Sequence, residues 1–363
     1  MKCIGISGTS VTLLVAGLLF VPAASRADVP NVISDAAIRA GTVGTSQRAS
    51  ISILTVGTGR CVVIACPTGE KILNDCGTRN ARAAFLPSAK AFFDSVVYAN
   101  DPLYVVLSHS DVDHIGLVKD LVGVHPVRRV LLGGVRGDYA SVLGTWLDDE
   151  EHGGAVIQTL NANYFDTTPN AGLPCGSNAT NGAYVLGSNA GTGNDASIVL
   201  GIHDGTFQAV LLADIERAGT AQLINHFPTG LAATLVEGAH HGSDTDGANP
   251  PTLGNETRPD VAVFSAGSKF RNYAHPRCMM QSVYFPPVNG VLAGGAAAHT
   301  FSCYNGSAGN RRLTPYTNVT VPIYNTNDTG AFVLITDGTA WRAWTCPGNI
   351  ISSLTCALAM ANP

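Results

Sequence analysis

The chain has 363 residues, of which 45% are hydrophobic and only 13% are charged, and its formal net charge is −5. A hydrophobic content of this size can bury a core, which excludes an intrinsically disordered chain. The negative balance argues against a protein that binds nucleic acid through a broad basic face. It leaves room for a small metal-centred site that handles phosphates.

The N-terminus has the layout of a secretory signal peptide. Lys2 supplies positive charge, residues 11–21 form an apolar run, and Ser25 and Ala27 place small side chains before Asp28. The run is too short to span a bilayer comfortably. We therefore expect a secreted or periplasmic protein without stable membrane insertion, and an uncleaved N-terminal anchor is the alternative. The expected division is a signal peptide (1–27), an N-terminal extension (28–48) and a single domain (49–363).

The cysteines agree with export, because eight of the nine follow the predicted leader. An even number in an exported chain predicts a disulfide framework whose pairing the sequence does not determine. A zinc-binding cysteine cluster would need C-x2-C spacing, which is absent. Three of the cysteines fall on adjacent predicted strands, so at least one of these three must pair elsewhere. The eight are Cys61, Cys66, Cys76, Cys175, Cys278, Cys303, Cys346 and Cys356.

Short apolar runs separated by glycine predict a β-rich fold with helices between the strands. In the first half the pattern predicts strands at 51–56, 61–65 and 71–73, an amphipathic helix over 80–97 and a buried strand at 103–107. In the second half it predicts a hairpin of 197–202 and 207–212, a helix over 215–227, strands at 234–236 and 261–265, and a hairpin of 321–324 and 331–336. Residues 145–185 and 285–318 are rich in Gly, Asn and Ala and are interpreted as loop insertions.

Four potential metal ligands follow the predicted strand at 103–107 within six residues: His109, Asp111, Asp113 and His114. In a tight turn at a strand end, alternate side chains can converge on one point. His109 and Asp111 could face one ion while Asp113 and His114 face a second. A polar loop with a helix-capping aspartate is the alternative, but it does not explain two histidines and a further carboxylate.

This block resembles the H-x-[H/D]-x-D-H signature of the metallo-β-lactamase superfamily. Three further blocks make the chain similar to the soluble metallo-β-lactamase-like domain of ComEC-type competence proteins. They are Leu211–Glu216, Gly238–Ser243 and the dipeptide His275-Pro276. The similarity runs in consistent order from about residue 50 to residue 337. It implies an α/β fold, the αβ/βα four-layer sandwich with loop insertions, and it does not extend to the channel segments of those transporters.

The resemblance also implies site residues in the second half. Asp214 would bridge two cations, although a helix-capping role is also open. His240 and His241 are adjacent, so one of them is expected to ligate; we choose His240 as the ligand and His241 as a proton donor. His275 is expected to contact the substrate. The central histidine of the superfamily is missing, and an oxygen of Asn194 or Asp195 could replace it.

The expected activity is that of a metal-dependent hydrolase. Its centre would hold one or two divalent ions, either Zn²⁺ or Mn²⁺ with Mg²⁺ as a further candidate, because carboxylate ligands favour hard cations. A metal-bound hydroxide, with Asp113 in the catalytic centre, would attack a phosphodiester or other ester-like substrate, with nucleic acids among the candidates. The alternatives are a lactone or β-lactam hydrolase on the same fold and a catalytically silent binding protein. The oligomeric state is not predicted.

Overall fold

A computed structural model of the chain describes most of residues 42–362. The described ranges are 42–43, 46–47, 49–160, 164–166, 173–176, 181–188, 193–227, 230–267, 273–287, 295–307, 310–349 and 356–362. The predicted signal peptide and most of the predicted N-terminal extension therefore lie outside the described residues.

The described residues form nineteen strands and eight α-helices, interrupted by short 3-10 turns. The strands are β1 Thr42–Val43, β2 Ser46–Gln47, β3 Ala49–Ile53, β4 Cys61–Ala65, β5 Lys71–Cys76, β6 Leu103–Leu107, β7 Val127–Gly133, β8 Val156–Leu160, β9 Gly182–Ser188, β10 Ile198–Asp204, β11 Phe207–Leu211, β12 Leu235–Glu237, β13 Val261–Phe264, β14 His299–Asn305, β15 Arg312–Val319, β16 Ile323–Asn325, β17 Ala331–Thr336, β18 Trp341–Cys346 and β19 Ala357–Asn362. The helices are α1 Arg82–Val96, α2 Val112–Ile115, α3 Val118–Val122, α4 Ala140–His152, α5 Arg217–His226, α6 Pro251–Thr257, α7 Met280–Tyr284 and α8 Thr326–Thr329.

Two large mixed sheets carry the fold. The first has nine strands in the order β19-β18-β17-β3-β4-β5-β6-β7-β8, and the second has six in the order β16-β13-β12-β11-β10-β9. Within the first sheet β5, β6, β7 and β8 run parallel, and within the second β11, β12, β13 and β16 run parallel. Parallel neighbours end at the same edge of their sheet, so loops that follow these strands gather there.

Strand residues alternate between two separate cores, which explains the nearly continuous apolar runs of the sequence. Along β4, Val62 and Ile64 belong to a core between the two sheets, whereas Val63 packs into a core that includes Phe93 of α1. A third core lies between the second sheet and its helices and includes Phe264. Three apolar layers separate four layers of secondary structure, which confirms the predicted αβ/βα sandwich.

Most predicted elements of the first half are present: β4 and β6 have the predicted bounds, and α1 contains Pro87 as expected. The predicted final hairpin is wrong. β16 joins the second sheet beside β13, whereas β17 joins the first sheet beside β3. The loop interpretation is also wrong in part, because 145–185 contains the end of α4, β8 and the start of β9, and 285–318 contains the β14–β15 hairpin. These strands form main-chain hydrogen bonds with their neighbours, but their side chains lack the apolar alternation from which a strand can be predicted.

All eight cysteines that follow the predicted leader are paired in four disulfides. Cys61–Cys76 joins neighbouring strands, and Cys66 pairs outside that trio with Cys175. The remaining pairs are Cys278–Cys303 and Cys346–Cys356. Cys175 and Cys303 each attach one of the two weakly patterned segments to the sandwich. None of the helices in the described ranges combines the length and apolar character that crossing a membrane requires.

The disulfides differ in the length of chain they close, which predicts different contributions to stability. Cys66–Cys175 spans 109 residues and Cys346–Cys356 spans 10. The double substitution Cys66→Ala with Cys175→Ala should lower the free energy of unfolding by about 5 kcal/mol, and Cys346→Ala with Cys356→Ala by about 3 kcal/mol, because the longer loop restricts the unfolded chain more. Urea denaturation of both variants measures the difference, and equal losses would contradict it.

Candidate metal centre

Loops that follow parallel strands of both sheets meet at one edge of the sandwich. Ser108 and His109 follow β6, and the short helix α2 then carries Asp113 and His114. In the facing sheet, Asp214 follows β11 and a turn after β12 carries the histidine pair. The order of strands in the two sheets thus brings the block at residues 109–114 together with two blocks, at residue 214 and at residues 240–241, that follow about one hundred residues or more later in the sequence.

Two overlapping groups of side chains lie close enough to hold a cation. His109, His114 and Asp214 form one group, and Asp113, His114 and His241 form the other; within each group the ligand atoms lie within 4.8 Å of one another. The Nε2 atom of His114 is 3.1 Å from Oδ1 of Asp214. The Nε2 atom of His241 is 3.4 Å from Oδ2 of Asp214 and 3.7 Å from Oδ2 of Asp113.

The donor atoms of this cluster are buried, and most of them lack a hydrogen bond. Among the described residues, Nε2 of His109, His114 and His241 and Oδ1 of Asp214 make no hydrogen bond of good geometry, and Oδ1 of Asp113 faces the guanidinium of Arg79. Buried polar atoms are normally satisfied, because an unpartnered one costs about 1–3 kcal/mol. Three imidazole nitrogens and a carboxylate oxygen left unsatisfied beside one another have the composition of a divalent cation site. The residues present therefore fit the metal centre expected from the sequence.

The structure groups His241, and not the predicted ligand His240, with Asp113 and His114. His241 is buried and belongs to the cluster, and its Nδ1 atom is 2.6 Å from the carbonyl oxygen of Ser265. His240 is less buried: its Nδ1 atom is 3.3 Å from Oε1 of Glu216, and its Nε2 atom is 3.8 Å from Oδ2 of Asp214. Both residues have left-handed backbones, with φ of 47° and 55°. This strained turn separates two neighbouring side chains in a way that sequence alone does not reveal.

Asp111 is not part of either group, contrary to the expectation. Its carboxylate is 41% exposed and accepts a hydrogen bond of 2.7 Å from Nη2 of Arg79. The same Nη2 atom is 2.8 Å from Oδ1 of Asp113. Arg79 is a site residue that the sequence analysis missed, and no spacing rule would have connected it to the motif thirty residues later.

The residues considered as a replacement for the central histidine do not reach the cluster. Asn194 donates to Oε1 of Glu216 at 2.8 Å, and Asp195 accepts from the backbone N–H groups of Glu216 and Gly219 at the start of α5. The nearby hydroxyl is that of Ser197, which lies 3.3 Å from Nδ1 of His109. The ligand role considered for Asn194 and Asp195 is therefore not supported by their positions.

His275 lies at the edge of the cluster, as a substrate-contacting residue would. Its ring centroid is 5.7 Å from that of His240, and its Nδ1 atom has no hydrogen-bond partner among the described residues. Burial, with the positive charges of His240, His241 and Arg311, holds the pKa of His275 well below its usual range. A neutral imidazole at the rim can accept a hydrogen bond or a proton.

A buried ion network stands behind the cluster and orients its histidines. The Nδ1 atom of His114 is 2.8 Å from Oδ2 of Asp75, which also pairs with Nη1 of Arg60 at 2.7 Å. Arg60 is fully buried and makes a second pair with Glu237 from the facing sheet. Glu237 in turn accepts from the hydroxyl of Ser265 at 2.8 Å. The sequence analysis did not predict this role of Asp75.

The cluster is electrostatically balanced between carboxylates and imidazoles. Burial alone would lower the pKa of His114, but the carboxylates of Asp214 and Asp75 outweigh it and raise the pKa to about 9. Burial would also lower the pKa of His241, but the carboxylates of Asp214 and Asp113 outweigh it and raise that pKa well above its usual range. Burial and the charge of His114 lower the pKa of His109 to about 4. A bound cation would take the place of the protons on His114 and His241.

Two glycines allow the strand ends to approach the ligand turn. A side chain at Gly77 would meet the carbonyl oxygen of Val112 at 2.4 Å, and one at Gly59 would meet that of Asp113 at 2.8 Å. This close packing lets the backbone N–H of Arg60 donate to the carbonyl of Asp113 at 2.9 Å. The ligand helix α2 is thereby attached to β4 and β5.

Comparison with known proteins finds a family match for the first part of the chain. Residues 54–137, which include the first ligand block, match the family described as the metallo-beta-lactamase superfamily. Over these residues the chain is similar to that superfamily. It is also 26% identical over 181 residues to ComE operon protein 3 of Bacillus subtilis (strain 168), which confirms the ComEC-like resemblance. That alignment covers 47% of this chain and 21% of the relative, so the chain matches about a fifth of that protein's length.

Solved structures with a similar arrangement include a mutant of the CmlA beta-hydroxylase, at a TM-score of 0.39 and 16% identity, which covers 60% of this chain and 46% of that one. The metallo-beta-lactamase SMB-1 bound to 2-mercaptoethanesulfonate has a TM-score of 0.32 at 15% identity and covers 52% of this chain and 76% of that one.

Asp75→Asn tests the orienting network. Asparagine tolerates the left-handed backbone of this position, where φ is 59°. It removes the negative charge beside Nδ1 of His114, so Mn²⁺ affinity should fall about 10–100-fold while the ligands remain in place. Competition with a fluorescent chelator measures the affinity. Asp120→Asn, which removes a carboxylate paired with exposed Arg82, is the control. Unchanged affinity in Asp75→Asn would contradict the orienting role.

Proposed function

We propose that the protein is an exported, metal-dependent phosphodiesterase. The observation that carries the proposal is the buried donor set of Asp113, His114, Asp214 and His241, with His109 beside it, in which the three imidazole Nε2 atoms make no hydrogen bond of good geometry. Carboxylates supply about half of these donors, a composition that favours Mn²⁺ or Mg²⁺ relative to Zn²⁺. Four disulfides fit a protein of an oxidising compartment.

The surroundings of the cluster favour an anionic substrate. The guanidinium of Arg79 lies beside Asp113, and the charge of Arg311 reaches His275 at the rim. Arginine side chains at the mouth of a cation site favour phosphoryl oxygens over the neutral carbonyl of a lactone or β-lactam. A phosphodiester, including one within a nucleic acid, is therefore the substrate class that we propose.

The chain's own residues would divide the work of hydrolysis. A divalent cation held by the cluster would supply Lewis-acid activation of water and of a phosphoryl oxygen. His240 has an oriented and partly exposed ring, because Glu216 lies 3.3 Å from its Nδ1 atom and Asn194 holds Glu216 in turn. His240 would protonate the leaving oxygen, and His275 would contact the substrate. In this proposal His241 is the ligand and His240 the proton donor, whereas the sequence analysis assigned these two roles the other way round.

The test compares two histidine variants on a panel of substrates. The chain loaded with Mn²⁺ should hydrolyse bis(p-nitrophenyl) phosphate faster than p-nitrophenyl phosphate, a lactone or a β-lactam, and EDTA should abolish the activity. His241→Ala should remove both the cation and the activity, whereas His240→Ala should keep the cation and lose about 10²–10⁴-fold in kcat.

The control is His152→Ala, which removes an exposed histidine at the end of α4 and should change neither property. Turnover of the lactone or β-lactam alone would replace the proposal with a carbonyl hydrolase. Cation binding without turnover of any substrate would indicate a binding protein on this scaffold.

A further inference from the structure

The two cation-holding groups cannot each contain an ion, because they share His114. One imidazole nitrogen of His114, Nδ1, lies against Asp75 at 2.8 Å, so only Nε2 is available as a ligand. One nitrogen lone pair ligates one ion. If His114 ligates an ion together with Asp113, Asp214 and His241, that ion has four donors. The other side of the cluster is then left with His109 and a shared oxygen of Asp214.

The remaining donors that could complete a second ion are otherwise engaged. Asp111 is directed toward Arg79 at 2.7 Å, and the nearest group from the block proposed to replace the central histidine is the hydroxyl of Ser197, 3.3 Å from Nδ1 of His109. The two carboxylate oxygens of Asp113 have different neighbours. Oδ1 lies 2.8 Å from Nη2 of Arg79, and Oδ2 faces His241. The guanidinium therefore lies between the two carboxylates that a second cation would bridge.

Arg79 is fixed in this position from three directions. Its backbone N–H donates to the carbonyl of Thr58 at 2.8 Å, its guanidinium lies 4.9 Å from the ring centroid of Tyr273, and the two carboxylates hold Nη2. Its Nε atom is buried and has no partner among the described residues. A guanidinium has five N–H donors in a planar fork that matches phosphoryl oxygens.

We infer that the centre holds one divalent cation per chain and that Arg79 supplies the second positive charge, donating from its guanidinium to a phosphoryl oxygen of the substrate. The substrate part of this inference rests on the proposed phosphodiesterase function. The ion count does not, because it follows from the ligands alone. The arrangement keeps two positive charges at the reacting phosphate while requiring only one ion.

The first experiment counts ions on the full chain after chelation and reloading with Mn²⁺. Elemental analysis should find one Mn²⁺ per chain, and electron paramagnetic resonance should show an isolated ion. Two tightly bound ions with spin coupling in the unsubstituted protein would overturn the inference, even if phosphodiester turnover were present. Conversely, one ion without phosphodiester turnover would refute the proposed function and leave the ion count standing.

The second experiment changes Arg79. Arg79→Ala frees Asp111 and Oδ1 of Asp113, so a second, weaker Mn²⁺ should bind, and KM for bis(p-nitrophenyl) phosphate should rise by about tenfold or more. Arg79→Lys keeps the charge but not the fork, so the count should stay at one while KM still rises.

The matched control is Arg82→Ala, which removes an exposed arginine nearby whose partner is the half-buried Asp120 and should leave the count and KM unchanged. An Arg79→Ala protein with neither a second ion nor a raised KM would overturn the assignment. If Arg79→Ala does not fold, the ion count of the unsubstituted protein and KM of Arg79→Lys decide the question.

Discussion

The site depends on one buried guanidinium, that of Arg60, which joins the two sheets. It pairs with Asp75 at the end of β5 and with Glu237 at the end of β12. Asp75 holds His114, and Glu237 accepts from Ser265, whose carbonyl lies against His241. Since loss of one partner from a buried pair costs about 3–5 kcal/mol, this network fixes the spacing of the sheets. It also holds in place the two histidines that we assign to the cation, His114 beside the first sheet and His241 beside the second.

The same constraint accounts for the composition of the centre. Burial of Asp113 and Asp214 as carboxylates is unfavourable unless positive charge lies beside them. Protonated His114 and His241 provide that charge, and both have raised pKa values for this reason. A divalent cation would replace those protons and satisfy the unpartnered atoms at once. At Asp111 the compensating positive charge comes from a side chain, the guanidinium of Arg79, and not from a bound cation.

The sequence predicted the blocks of the site better than their inner arrangement. His109, Asp113, His114 and Asp214 could be predicted because each follows an apolar run, and parallel strands end at one edge. Which of His240 and His241 lies in the cluster could not be predicted, because it depends on a left-handed turn that no local pattern indicates. The position of Asp111 depends on Arg79, which belongs to a different segment. The final hairpin was wrong because adjacent apolar runs, β16 and β17, enter different sheets.

The most direct test of the account is an anomalous-scattering crystal structure of the full chain grown with Mn²⁺. The account predicts a strong anomalous peak about 2.0–2.3 Å from Asp113, His114, Asp214 and His241, typical of divalent cation ligands. Arg79 would still contact Asp111. A peak at His240 and Glu216, or no peak among the four ligands at a Mn²⁺ concentration that supports activity, would contradict it.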